Sequence, residues 1–81
     1  MFIKPSNMVL KKTKCWVTLE DLLPGSLFLY KGTLGLKTEY RTSEGAIEAF
    51  IVGSGEMFWG GIDTPEQQLR LRVRKVKLII E

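Results

Sequence analysis

The clearest alternation of apolar and polar positions lies near the end of the chain. Leu69, Leu71 and Val73 interleave with Arg70, Arg72 and Arg74. That period of two predicts a half-buried β-strand. Lys75 interrupts it, and apolar positions resume at Val76, Leu78 and Ile80. Two polar residues in succession predict a β-bulge at Arg74-Lys75, which keeps the apolar residues on one face. Such a bent strand suits the corner of a small barrel.

The rest of the chain divides into short runs. Cys15-Trp16-Val17 is β-prone. Thr18 caps a single helical turn with Asp21 three residues on, and Pro24-Gly25 closes it as a type II turn. Ser26–Tyr30, Thr33–Thr38 and Ala46–Val52 read as strands. Gly35 marks a bulge or a close approach, Thr42–Gly45 a polar turn, and Gly53-Ser54-Gly55 a hairpin loop. Glu56–Trp59 reads as a further short strand, stopped by Gly60-Gly61. Asp63–Gln68, with Pro65 at the first helical position, is a second helical turn. The expectation is one all-β domain. It is a small Src-homology-like barrel or roll of about five short strands with one or two single helical turns. Residues 1–11 form an N-terminal arm, with Met8 an alternative start, and 12–81 form the barrel.

Length and composition narrow the chemistry. Eighty-one residues leave room for one thin core. No apolar run approaches the length of a transmembrane helix, and no signal-peptide pattern opens the chain. The single cysteine, Cys15, excludes an internal disulfide and fits a reducing compartment. The absence of histidine removes imidazole general bases and most zinc sites. Cys15 has no base to activate it and reads as a small hydrophobe. Glu44, Glu48, Glu56 and Asp63 read as solvated carboxylates. The chain is therefore expected to be non-enzymatic, with no cofactor and no metal.

Charge is uneven. Residues 1–14 hold four lysines and no acid, residues 15–69 hold three cations against eight acids, and residues 70–81 hold five cations against one acid. The formal net charge is +3. Two basic ends thus flank an acidic middle. They attract an anionic partner, or they pair with the middle inside the fold.

Residues Leu19–Leu29 (LEDLLPGSLFL), the following Tyr30-Lys31-Gly32 turn with its strand to Thr38, and Ala49–Gly61 resemble small, uncharacterised phage and prophage proteins. The resemblance covers residues 17–61. It implies a Src-homology-like barrel and a mobile-element origin, and it lends no residue a role.

Two surfaces are candidates for binding. Met57 and Trp59 share one strand face and Phe58 takes the other, so in a thin barrel an aromatic of this glycine-bracketed segment faces outward as a contact anchor, or is covered by a second copy. Arg70, Arg72 and Arg74 form a row at about 7 Å intervals that Lys75 and Lys77 extend. With Tyr30, Tyr40, Trp16 or Trp59 near it, this row is a stacking-plus-charge surface for nucleic acid. The same row also serves simply to keep an edge strand soluble, or pairs with Glu48. The favoured expectation is an accessory protein that binds a host protein in the bacterial cytoplasm, as inhibitor or adaptor of a system such as host defence. Nucleic-acid binding is the first alternative. Sequestration of a small phosphorylated ligand by a homodimer is the second.

Overall fold

A computed structural model describes the backbone of residues 8–80 and the side chains of residues 11 and 13–77. Five strands and one short helix follow the order β1 (Met8–Thr18), β2 (Leu27–Tyr30), β3 (Thr33–Arg41), β4 (Ile47–Ile51), α1 (Pro65–Leu69) and β5 (Arg72–Ile80). All strands lie antiparallel in one sheet, ordered β1-β5-β2-β3-β4. The expected class holds: a small all-β roll with almost no helix. No helix among the described residues is long and apolar enough to cross a membrane.

The turns behave as their residues dictate. The Asp21 N–H donates to Thr18 Oγ1, and the Ser26 N–H closes the Leu23–Ser26 turn onto the Leu23 carbonyl. Lys31 and Gly32 both have positive φ, +46° and +81°, as a two-residue type I′ hairpin requires. Gly35 marks a close approach. It lies opposite Phe28, and a Cβ there would sit 2.3 Å from the Phe28 ring. The missing side chain lets Phe28 lie flat across β3 at the centre of the core.

That core contains Leu19, Leu22, Phe28, Ile47, Ala49, Phe58 and Val73. Phe58 meets Phe28 and Tyr30 edge-to-face, with ring centroids 5.0 Å and 5.7 Å apart. Two polar side chains are buried with it. Gln68 accepts from the Ile47 N–H (2.7 Å) and donates to the Ile47 and Phe58 carbonyls (3.0 and 2.9 Å). Its amide thus pairs with β4 as a neighbouring strand would. The Lys37 ammonium donates to the carbonyls of Glu20 and Leu22, tying the Thr18–Leu22 turn to β3.

Four expectations are corrected. The last strand starts at Arg72, because the capped helix continues to Leu69 and Arg70 is its C-cap. The irregularity near Arg74-Lys75 belongs to the facing strand. Lys12 pairs with Val76 and Trp16 with Arg74, so β1 bulges while β5 pairs regularly with β2. Val73 is therefore buried, whereas Leu69, Leu71 and Val76 are half-buried; the side chains of Leu78 and Ile80 lie outside the described residues. Glu56–Trp59 is not a strand and makes one isolated bridge, Met57 to Phe50. Residues 8–11, assigned to an arm, pair with β5, while residues 1–7 lie outside the described residues.

Candidate functional site

The sheet order decides where the charge goes. β1 and β5, distant in sequence, are neighbours. Together they carry Lys11, Lys12, Lys14, Arg72, Arg74, Lys75 and Lys77, and no acid. Among the described residues the one ion pair is Arg41–Glu20, at 3.5 Å, and neither residue belongs to β1 or β5. Glu48 lies on β4, separated from β5 by two strands. The basic segments are thus not neutralised by the acidic middle.

Within this region the candidate row separates. Arg70 is exposed at the end of α1 and is not part of the strand. Arg72 and Arg74 share the outer face of β5. Lys75 and Lys77 are exposed but take the opposite parity, because β5 alternates without interruption. The row is therefore two pairs of cations on the two faces of a ribbon.

Trp16 and Arg74 are cross-strand partners. The guanidinium lies 4.7 Å from the Trp16 ring centroid, a cation–π stack. Arg74 Nε is shut from solvent with no hydrogen-bond partner, yet Trp16 is 47% exposed. The indole therefore covers the guanidinium and keeps its outer surface open. Trp16, Leu29, Lys31, Gly32 and Arg74 line a shallow cleft of about 370 Å³.

The aromatic pair expected at the glycine-bracketed segment divides cleanly. Phe58 is 3% exposed and belongs to the core, which corrects its place among the binding candidates. Trp59 is 40% exposed. It borders a second open cleft, of about 380 Å³, with Tyr30, Lys31, Thr33, Ile51 and Gly60. Tyr30 is half-buried against the core, with the Lys31 ammonium 5.3 Å from its ring centroid. Gly60 has φ +72°, and a Cβ there would lie 2.3 Å from Leu71 Cδ1, so only glycine carries the chain away from Trp59.

A third cleft, of about 270 Å³, lies over Glu20–Pro24 and Lys37–Arg41. Burial, and then Arg41, push the Lys37 pKa below the ordinary lysine value, against the smaller pull of Asp21 and Glu20. Lys37 is committed to two backbone carbonyls and acts as a structural cation. No group of three or more His, Cys, Asp or Glu among the described residues is arranged to hold a metal. Compared with protein-family models, curated proteins and solved structures, the chain matches none of them.

Lys37, Gln68 and Lys31 were missed as key positions by pattern alone. Lys37 had one visible signal: it occupies an inward position of β3, two residues after Gly35.

Proposed function

We propose that the chain is a non-enzymatic nucleic-acid-binding domain that works along β1 and β5. One observation carries the reading: the fold joins the two basic segments into one ribbon of seven cations without an acid, beside an exposed tryptophan. Arginine and lysine contact phosphate, and an exposed indole offers a stacking platform to a base. Affinity is expected to fall with salt at a log–log slope of about −2 to −4. The triple reversal Lys14→Glu, Arg72→Glu and Lys75→Glu is expected to abolish binding while leaving the circular dichroism spectrum unchanged. No detectable binding of mixed DNA or RNA at about 50 mM salt overturns the reading.

Exposed Trp59 favours a second reading, a host-protein partner. Here the chain is a phage or mobile-element accessory protein acting in the bacterial cytoplasm, as the resemblance over residues 17–61 suggests. Trp59→Ala then reduces capture of one defined host protein by about 2 kcal/mol with little loss of stability. Unchanged capture removes this reading.

A further inference from the structure

The two tryptophan clefts have one residue in common, Lys31. Trp16 borders one of these clefts and Trp59 the other, and both clefts include residues of the Tyr30–Thr33 hairpin turn. We propose that the domain takes its nucleic acid as a single strand, one base on Trp16 and another on Trp59, with the Lys31 ammonium against the intervening backbone phosphate. This rests on the nucleic-acid reading and adds to it which form of the polymer is bound, and by which residues.

Three features support the track. Trp16 is held from behind. The Arg74 guanidinium occupies its inner surface, so the ring is fixed before a base arrives and its outer surface is free. A base there extends a stack of guanidinium, indole and nucleobase. Trp59 precedes Gly60 and Gly61, both with positive φ, and a side chain at Gly60 would meet Leu71 and the Phe58 ring, so the turn that presents the indole is one that glycine alone fits.

Lys31 is the third feature. It is the one described non-glycine residue with positive φ. Its place in a type I′ turn is one that asparagine, aspartate or glycine fills with less strain. A lysine there strains the turn, and its ammonium lies 5.3 Å from the Tyr30 ring centroid. What it adds is a cation at the junction of two aromatic clefts. Strain tolerated at such a position points to a contact made by the side chain. Duplex ends aside, paired bases have both faces already stacked, so these platforms serve only unpaired strands.

The test compares an oligothymidylate of about twelve nucleotides with a duplex of the same length, by anisotropy and tryptophan quenching at low salt. The single strand is expected to bind at least about tenfold more tightly, with quenching. Trp16→Ala and Trp59→Ala should each weaken it by about tenfold and leave the duplex unchanged, while Trp→Phe at either position restores most of the loss. Lys31→Gly should weaken binding severalfold while raising or preserving the melting temperature, a combination that a structural role does not produce. Equal affinity for both forms, or tryptophan variants that bind like the wild type, overturns the track. If the Lys14, Arg72 and Lys75 reversal still abolishes binding in that case, the broader nucleic-acid reading survives. Failure of both oligonucleotides to bind overturns both and leaves the host-protein reading.

Discussion

In β1, Thr13 Oγ1 donates to the Lys75 carbonyl at 3.0 Å and accepts the Cys15 N–H. In β3, Thr38 Oγ1 donates to the Glu48 carbonyl and accepts the Tyr40 N–H. Both threonines follow a lysine, in Lys12-Thr13-Lys14-Cys15 and Lys37-Thr38-Glu39-Tyr40. Both bulges set three residues of one strand against one of its neighbour. One local device thus bends the sheet twice, with different surroundings. Around the β3 bulge, Glu39, Tyr40 and Arg41 face solvent while Lys37, just before it, is drawn inside, and the Gln68 amide pairs with β4. Around the β1 bulge, Lys14, Cys15 and Trp16 face solvent, and β1 remains an edge strand guarded by lysine. The sealed half maintains the fold. The half around β1 and β5 also concentrates exposed cations that take no part in the core.

The contrast breaks first at the sealed half. Gln68→Leu is expected to have the largest effect, because it leaves the Ile47 N–H and two buried carbonyls without partners. The expected loss is about 3 kcal/mol or more in denaturant unfolding. A loss under about 1 kcal/mol would mean that water replaces the amide and that the β4 edge is not sealed. Gly35→Ala comes next. The added methyl collides with Phe28, and displacing that ring should cost about 2–3 kcal/mol. A neutral result would show that the core has slack at its centre.

The matched threonines give a smaller and more direct test. Removing the hydroxyl from half-buried Thr38 should cost about 1 kcal/mol, and from Thr13 about half that, since water replaces its partners at the more open site. Thermal unfolding of Thr38→Val and Thr13→Val measures both. Equal losses would show that burial does not distinguish the two bulges. On the open side, Trp16→Ala should cost less than about 1 kcal/mol of stability, as expected of a residue outside the core.

Much of the sealed half was legible. Pro24-Gly25, Gly53–Gly55, the Asp63–Gln68 cap and the strand around Ala49 all follow from local residue preferences, although that strand lies at the end of the sheet order and not at its centre. Gly35 signalled its close approach because a strand has few other uses for glycine. The alternation from Leu69 misled by three residues, since a short helix ending at Leu69 and a strand starting at Arg72 leave the same local pattern. The bulge was detected but assigned to the wrong strand. Arg74-Lys75 looks irregular in isolation, but Val73 and Arg74 simply occupy opposite faces and Lys75 is solvated. The true bulge, at Thr13–Cys15, depends on a hydrogen bond to a strand 62 residues away. Gln68 had no signal, because its partners are backbone groups. The adjacency of the two basic ends was likewise a property of strand order, which no single segment encodes.

The smallest expected effect tests the inside of the β3 bulge. Lys37 has its pKa lowered chiefly by burial, so the folded protein releases that proton at a lower pH than the unfolded chain does. Between the two values the unfolded state holds more protons, and stability from this group therefore rises with pH. Below both values the cost of burying the cation is present in full; it is relieved as pH climbs through the folded value toward that of an unfolded lysine. Other lysines and the tyrosines also titrate at high pH, so the wild type must be compared with Lys37→Met. Urea unfolding of both between neutral pH and the upper end of that window should show the wild type gaining on the variant. A wild type that loses ground to the variant as pH rises would instead mean that the Glu20 and Leu22 carbonyls, with Asp21 nearby, hold Lys37 as a cation more strongly than burial opposes it. Burial at the β3 bulge would then carry no net penalty on the charged form of its lysine.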